Sequence, residues 1–250
     1  MKKLVQLAAI FVVLGVYASA TPLIISGSSG TLAATATFTA SGSTLIITLT
    51  NTSGTMSTVP ADLLTAIFFD VSGGVALTPG SAFLMGGSTV LGCGANCTLP
   101  TGGNVGGEWA YNGNIAGGSG VTQHYGISST GVGIFGSGNF GGPNLQGPDS
   151  VDGMQYGIGT ANYNPAFANG GLEGNAVIVN GVTFTLTGLP AGFDPSTAIS
   201  NIRFQYGTDL CEPSFPGDPR IPPSEIPEPV TMALTGAGLA GLAFIRRRRA

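Results

Sequence analysis

The chain has 250 residues and is poor in charge: 8% of the residues are charged, 43% are hydrophobic, and the formal net charge is −4. Six of the eight basic residues lie in the two terminal segments, so the part between them has two arginines against twelve acidic residues and a net charge near −10. An acidic body of this kind excludes nucleic acid as a partner, because such binding depends on neutralising phosphates.

The first residues have the pattern of a secretory signal peptide. Two lysines precede an apolar stretch, residues 4–16, and an Ala-Ser-Ala site ends at Ala20. A charged start, an apolar centre and a small-residue site are the three parts of such a signal. We therefore predict a signal helix over residues 1–20, export through the Sec translocon, and cleavage that leaves Thr21 as the first mature residue.

The next part of the chain alternates apolar and polar residues with the period of a β-strand. Residues 31–50 predict two strands around a turn at residues 41–43, and residues 63–71 predict a third, more continuously apolar strand. We find no amphipathic helical stretch of useful length outside the two terminal segments.

A second strand-rich part follows near residue 180. Residues 176–179 and 182–189 flank the dipeptide Asn180-Gly181, which predicts a β-hairpin, and residues 199–206 predict another strand. Many short strands separated by Gly and Pro favour an all-β body. We predict a β-sandwich of jelly-roll or Ig-like type over residues 21–211.

The middle of this body is rich in glycine. In the segment 86–174, 26 of the 89 residues are glycine, and such a composition buries little side-chain area while losing much backbone entropy on ordering. The segment also has several aromatic residues, so it is not expected to be wholly disordered. We predict a Gly-rich insert of long loops with short strands such as 123–127 and 133–135.

Three cysteines remain after export. Cys93 and Cys97 are separated by a short, glycine-containing stretch, and an oxidising compartment favours a disulfide between them. Pairing of Cys211 with either of the others is the alternative, and one thiol is left over in both cases. Metal binding is disfavoured because three cysteines and one unplaced histidine are a poor zinc set. We expect neither a metal nor a cofactor.

An aromatic motif in the glycine-rich segment has two interpretations. Trp109 and Tyr111 follow Glu108, and aromatic faces beside a carboxylate can stack on sugars and hydrogen-bond to them; Tyr125 is close in sequence. The other interpretation, which we prefer, is that Trp109 anchors a glycine-rich loop to the sandwich.

Three other motifs are better explained without a catalytic or ligand-binding role. His124 could join a serine and an aspartate, but the nucleophile elbow is absent and a loop role is preferred. Asp149 and Asp152 could bind calcium, but turn formation explains them better. The Gly-x-Gly-x-x-Gly pattern at 236–241 lies in an apolar terminal segment where no βαβ unit is possible.

A proline-rich segment connects the body to the end of the chain. Residues 212–229 have seven prolines among eighteen residues, a composition typical of an extended stalk. The segment ends in Pro227, Glu228 and Pro229, where proline prevents helix formation. We predict that this stalk holds the body away from the membrane.

Residues 230–250 are an apolar run closed by a basic cluster. The run itself, residues 230–245, would form a helix of about 24 Å, short for a hydrocarbon core of about 30 Å. The cluster consists of Arg246, Arg247, Arg248 and Arg249. Because such basic flanks stay cytoplasmic, we predict a single, transient membrane helix with everything before it outside the inner membrane.

The order of these parts resembles the C-terminal signal of the PEP-CTERM family, in which a Pro-Glu-Pro motif precedes one membrane helix and a terminal basic cluster. The resemblance implies processing by an exosortase, a membrane cysteine protease-transpeptidase of Gram-negative bacteria, with cleavage near residues 227–229. It further implies release or transfer of the body to the cell surface, in organisms where such tails accompany exopolysaccharide and biofilm. The strand-rich start of the body also resembles, more loosely, the exosortase-dependent surface proteins that have this tail.

These observations support three functional hypotheses. The first is a non-enzymatic surface or extracellular-matrix protein, with exopolysaccharide as a partner and a structural or adhesive role. The second is a carbohydrate-binding module that uses Trp109 and Tyr111. The third is a secreted hydrolase, which would need a pocket with clustered ionisable groups, and the chain has few such groups to cluster.

Overall fold

The computed structural model describes residues 21–93, 101–115, 120–132, 144–145 and 155–220. This part of the chain is mostly β and forms two sheets. The predicted signal helix (1–20) and the predicted membrane helix (230–245) lie outside the described residues. Within the described ranges, no helix combines the length and the apolar character that a membrane crossing requires.

The first sheet has six strands in the order β14-β1-β2-β3-β11-β5, and every neighbouring pair is antiparallel. Its strands are β1 (Leu23–Ser29), β2 (Leu32–Ser41), β3 (Thr44–Asn51), β5 (Thr78–Leu84), β11 (Gly181–Thr187) and β14 (Asp218–Arg220).

The second sheet has the order β13-β12-β4-β9-β10-β6, with β8 also paired to β4 and β7 paired to β8. Its strands are β4 (Leu64–Val71), β6 (Thr89–Leu91), β7 (Ala110–Asn112), β8 (Tyr125–Ser128), β9 (Gly157–Gly159), β10 (Val177–Val179), β12 (Ile199–Tyr206) and β13 (Ser214–Pro216). β9 and β10 are parallel, whereas the other pairs are antiparallel. A short α-helix, α1 (Pro195–Ala198), precedes β12, and the described residues also include four short 3-10 helices.

The two sheets share one apolar core. Inward-facing side chains of β1, β2, β3 and β11 belong to the same buried cluster as side chains of β4 and β12. Phe38 of β2 and Phe69 of β4 meet edge to face at 5.5 Å between ring centroids, a favourable arrangement of two aromatic rings. Strict alternation of buried and partly exposed positions along β2 and β3 produces the apolar inner face.

The structure confirms three predicted features of the strand-rich ends. β2 and β3 form the expected hairpin, with Gly42 at φ 57° in the turn between them. β4 is buried along its length apart from Asp70. β12 has the predicted bounds, and Phe204 and Tyr206 are fully buried.

The predicted hairpin at Asn180-Gly181 is wrong. β10 pairs with β6 and β9 in the second sheet, whereas β11 pairs with β3 and β5 in the first. Asn180 has φ 86°, so its left-handed conformation redirects the chain from one sheet to the other instead of closing a two-residue turn. Asn tolerates this conformation better than most residues.

The glycine-rich segment contributes more to the body than the predicted loops. Its described residues include β6, β7, β8 and β9, all in the second sheet. β8 overlaps the strand expected at residues 123–127, and the one expected at residues 133–135 lies outside the described residues. Close packing needs glycine at some of these positions: a side chain at Gly126 would meet the Phe68 ring at 2.7 Å.

The predicted stalk begins later than residue 212. β13 pairs with β12 in the second sheet, and β14 pairs with β1 in the first, so the segment 214–220 belongs to the body. Prolines are compatible with this placement because both strands are sheet edges, where a missing N–H is tolerated. The body therefore extends at least to residue 220, beyond the predicted boundary at residue 211.

The close approach of β1 and β13 generates a first prediction. An added side chain at Gly27 would meet the Pro216 carbonyl and the Phe215 ring, the latter at 2.9 Å. We expect Gly27→Ala to lower the free energy of unfolding by about 1–3 kcal/mol, the usual cost of overpacking. The measurement is thermal and denaturant unfolding followed by circular dichroism. Gly54→Ala is the control, since nothing lies within 4 Å of the added carbon, and an equal loss of stability in both variants would contradict the prediction.

Candidate functional site

The outward side of five strands of the first sheet is covered with hydroxyl groups. Because side chains alternate along a strand, burying the apolar residues inward turns every second residue outward. We call this surface the threonine face, and it comprises β1, β2, β3, β11 and β5. Its hydroxyl side chains include Ser26, Thr35, Thr37, Thr39, Thr44, Thr48, Thr50, Thr78, Ser81, Thr183, Thr185 and Thr187, all partly or fully exposed.

The strand register places these hydroxyl groups in rows across the sheet. One row begins at Ile24 on β1 and continues through Thr37, Thr48 and Thr183 to Phe83 on the edge strand β5. Phe83 is 40% exposed, one of two large apolar side chains that are exposed among the described residues. The row therefore presents hydroxyl groups, methyl groups and one aromatic ring.

Several of the hydroxyl groups are hydrogen-bonded in pairs across the strands. The Oγ1 atoms of Thr48 and Thr183 are 3.3 Å apart, and those of Thr78 and Thr187 are 2.7 Å apart. Similar pairs join Ser26 to Thr35 at 3.0 Å and Ser81 to Thr185 at 2.7 Å. A pair of hydroxyls shares one proton between the two oxygens, so each pair retains one donor and several lone pairs for a ligand.

A cleft of about 670 Å³ lies at the β14 end of the threonine face. Its lining includes Ser26 and Thr35 of the face, together with Ser28 and Thr52. Asp218 of β14 stands opposite Ser26 in the ladder and supplies the carboxylate of the lining. Small hydroxyl groups, backbone and one carboxylate can hydrogen-bond a neutral polar ligand.

A separate polar cluster lies near the carboxyl end of β4, in the second sheet. Asp70 Oδ1 accepts hydrogen bonds from the backbone N–H of His124 and from its Nδ1, both at 2.8 Å. Asp70 Oδ2 accepts one from Asn201 Nδ2 at 2.8 Å, and Asn201 in turn accepts one from Gln123 Nε2 at 2.9 Å. Asn201 has φ 51°, at an irregularity in the β12–β4 ladder.

The geometry around Asp70 indicates a structural role. Burial raises the pKa of its carboxyl, but the hydrogen bonds from Asn201 and His124 outweigh burial and hold the pKa below its ordinary value. The His124 side chain is 71% exposed, so its ring stands outside any enclosed site. The carboxylate joins the loop before β8 to β4 and β12. Sequence reasoning missed this cluster, and its one signal is an acidic residue in an otherwise apolar strand.

The structure contradicts the prediction that Trp109 and Tyr111 contact sugars. Trp109 is 0% exposed and Tyr111 is 3% exposed. Trp109 packs on Phe184 of the first sheet at 4.9 Å between ring centroids, and burial raises the pKa of the Tyr111 phenol. Both rings lie in the shared core, as the interpretation that we preferred, an anchored glycine-rich loop, requires. Tyr125 is also buried, with its hydroxyl donating to the Val75 carbonyl at 2.6 Å.

The core position of Trp109 and Tyr111 leaves two polar atoms unsatisfied. Among the described residues, neither Trp109 Nε1 nor the Tyr111 hydroxyl has a hydrogen-bond partner. An unpaired buried donor costs free energy, so apolar packing of these large rings has to outweigh that cost.

The cysteines occupy two different settings. Cys93 is disulfide-bonded, and Cys211 is free and exposed. Cys97 lies outside the described residues, so its pairing with Cys93 stays a prediction. The alternative in which Cys211 is bonded to Cys93 does not occur, and a hydrogen bond to Asp209 raises the pKa of the Cys211 thiol. In the described part of the chain, no group of three or more acidic, His or Cys side chains could hold a metal ion.

The sorting residues fall outside what the structure describes. These are Ala20 of the signal cleavage site, the Pro-Glu-Pro residues Pro227, Glu228 and Pro229, and the four arginines Arg246 to Arg249. Thr21, the predicted first mature residue, is described and exposed. Asp149 and Asp152 also lie outside. No protein-family model matches the chain, and comparison with curated proteins and with solved structures gave no significant match.

The burial of Trp109 generates a second prediction. We expect Trp109→Ala to lower the free energy of unfolding by about 3–5 kcal/mol, the cost of truncating a large core side chain. Denaturant unfolding followed by circular dichroism measures the change without depending on tryptophan emission. Phe167→Ala is the control because that ring is 59% exposed, and its effect should stay within about 0.5 kcal/mol. Comparable small effects in both variants would contradict the assignment of Trp109 to the core.

The hydrogen bonds to Asp70 generate a third prediction, on pH. We expect Asp70→Asn to reduce stability by about 1–3 kcal/mol at neutral pH, since it removes a charged acceptor. A folded-state pKa below the unfolded value of about 3.9 means that the stabilisation is complete above that value. It is lost as the pH falls through the folded-state pKa, so the two proteins should converge in acid.

Urea unfolding at a series of pH values measures this convergence. Asp218→Asn is the matched control, because Asp218 is exposed and on a short edge strand. A stability difference between wild type and Asp70→Asn that stays constant from neutral pH to pH values well below 3.9 would refute the assigned role of the carboxylate.

Proposed function

We propose that this chain is an exported, non-enzymatic surface protein, delivered by its C-terminal tail and serving as a structural or adhesive module outside the cell. The observation that carries the proposal is the order of three parts in the tail. Pro227 to Pro229 form the motif, residues 230–245 the apolar segment, and four arginines the basic end. The proposed processing enzyme is an exosortase, and the proposed destination is the cell surface or the extracellular matrix.

The length of the apolar segment supports temporary anchoring. Sixteen helical residues measure about 24 Å, several ångströms short of a typical hydrocarbon core of about 30 Å. Two threonines and three glycines within the segment weaken it further. A segment that spans the bilayer only marginally is suited to a short stay before cleavage.

The arrangement of the chain ends also supports this proposal. β1 begins three residues after Ala20, and it pairs antiparallel with β14, the last described strand before the tail. Ile24 stands opposite Arg220, so the chain enters and leaves the body at the same end of this strand pair. A precursor held by a signal peptide and by a tail would then have both attachments on one side of the body.

The distribution of ionisable groups favours a non-enzymatic role. The cleft beside the threonine face is lined by hydroxyl groups and one carboxylate, Asp218. The Asp70–His124 pair lies apart from this cleft, near the carboxyl end of β4 in the second sheet, and the imidazole is largely in solvent. Hydrolysis needs a nucleophile, a base and an enclosed site in mutual contact, and these two features do not supply that combination.

The type of fold and the order of domains are also part of this proposal. Two sheets around one core support a β-sandwich for residues 21–220. The parallel β9–β10 pair departs from the antiparallel pattern of the jelly-roll and Ig-like classes. The proposed domain order is signal helix (1–20), sandwich body, stalk (221–229) and membrane helix with its arginines (230–250).

The sorting proposal predicts a defined processing event. We expect the native protein from its producer to lack residues 1–20 and the tail, and to reside outside the inner membrane. Replacing Pro227, Glu228 and Pro229 together by alanine should keep the tail uncleaved and hold the protein in the inner membrane. Intact-mass spectrometry and membrane fractionation of both proteins measure these outcomes.

A matched control is available a few residues upstream. Pro222→Ala with Pro223→Ala changes two stalk prolines and leaves the motif intact, so this variant should be processed like wild type. An uncleaved tail in the wild-type protein would make the segment an ordinary anchor, and the exosortase proposal would fall.

A further inference from the structure

Charged residues are excluded from the threonine face. The five strands β1, β2, β3, β11 and β5 have no Asp, Glu, Lys, Arg or His at any position. The body, residues 21–220, has ten acidic residues and two arginines, which gives a net charge near −8. Charged residues occur on the adjoining strand β14, which has Asp218 and Arg220, and in the second sheet, which includes Asp70 and Arg203.

Strand propensity alone does not explain this surface. Threonine fits the pleated surface of a strand, which accounts for individual threonines at outward positions. Outward faces and edges of soluble sheets ordinarily also carry charged side chains, which prevent edge-to-edge association. Their absence from five adjacent strands leaves a continuous uncharged surface, and an uncharged surface favours an uncharged partner.

The spacing of the hydroxyl groups is set by the sheet. Neighbouring strands are about 4.8 Å apart, and outward residues recur about every 6.8 Å along a strand. Ser26 and Thr35 at the cleft lie one row away from the row that ends at Phe83. A path from the cleft to Phe83 therefore crosses five strands and shifts by one row, a distance of about 20 Å. A ligand that uses this surface is long, and it presents hydrogen-bonding groups at short, regular intervals.

We propose that the threonine face binds a neutral, extended polysaccharide laid across the strands, from the cleft at Ser26 and Asp218 to Phe83. The inference rests on the proposed function and names the partner of the adhesive module. Sugar hydroxyls match the cross-strand hydroxyl pairs, because each group can donate and accept. The Thr methyl groups and the Phe83 ring contact the apolar faces of the sugar rings.

Electrostatics selects among polysaccharides. Uronate or sulfate groups would be repelled by the acidic body. The five strands offer no cation to offset this repulsion, and on the adjoining strand β14 Arg220 is accompanied by Asp218. The cleft at the β14 end adds a carboxylate, Asp218, which accepts hydrogen bonds from neutral sugar hydroxyls and disfavours an anionic group. Binding is therefore specific to neutral chains and only weakly dependent on salt.

The test uses the full-length chain, purified in mild detergent, in affinity electrophoresis and titration calorimetry. The probes are hydroxyethyl cellulose, galactomannan and dextran as neutral polysaccharides, with alginate as the anionic counterpart. We expect binding to at least one neutral polysaccharide and none to alginate. Thr37→Val, Thr48→Val and Thr183→Val together remove one row of hydroxyl groups with little change of shape, and should weaken binding at least about tenfold.

A matched control and a second variant keep the result interpretable. Thr55→Val, Thr89→Val and Thr197→Val change three exposed threonines away from the face, and should leave binding unchanged. Melting temperature verifies folding of both triple variants. If the row variant does not fold, Phe83→Ala decides the question, since this exposed ring can be truncated without opening the core, and it should also weaken binding.

Two outcomes would overturn the proposal. The first is that no neutral polysaccharide binds, or that binding is equal in wild type and in the face variants. The second is that the protein binds none of the polysaccharides but alters the growth of ice crystals. The hydroxyl rows would then bind ordered water instead of a sugar chain. Binding by the purified chain does not depend on sorting, so a mislocalised protein that still binds would sink only the sorting proposal.

Discussion

The apolar layer between the two sheets is the interaction on which the rest of the structure depends. In a chain with few charges and many glycines, burial of these side chains is the main source of stability. Polar contacts between the sheets add directional hydrogen bonds to this apolar packing. Asn51 donates to the Ile158 carbonyl at 2.8 Å, and the Tyr206 hydroxyl donates to the Ala33 carbonyl at 2.8 Å. These bonds join the first sheet to the second and fix how the sheets meet.

The strands that are predicted well from the sequence are those in which apolar and polar residues alternate within the strand itself. β2 and β3 alternate along their length, and the β12 segment does so in part, so local periodicity was enough to locate them. Asn180-Gly181 has the local signature of a hairpin, but the pairing of β10 and β11 is decided by distant strands. Short strands such as β6 and β9 are fixed by ladder partners far away in sequence, which no local pattern reveals.

The site was less predictable than the fold, for a physical reason. Trp109 was a reasonable sugar contact by residue type, but residue type does not say whether an aromatic ring faces solvent or core. The threonine face could have been suspected from the Thr-x-Thr repeats at residues 35–39 and 183–187. Only strand register shows that these repeats, which are distant in sequence, are joined through β3 into one surface.

The position of the threonine face relative to the chain ends bears on how an adhesive module would carry load. The rows of hydroxyl groups run across the strands, whereas the chain leaves the body along β14. A polymer on the face would thus cross the direction in which the chain leaves the body. Force along β14 would act parallel to its ladder with β1 and load those hydrogen bonds together. Once β14 has separated from β1, the next strand to detach would be β13, which is paired in the other sheet. Unfolding from the tail therefore requires separation from both sheets in turn.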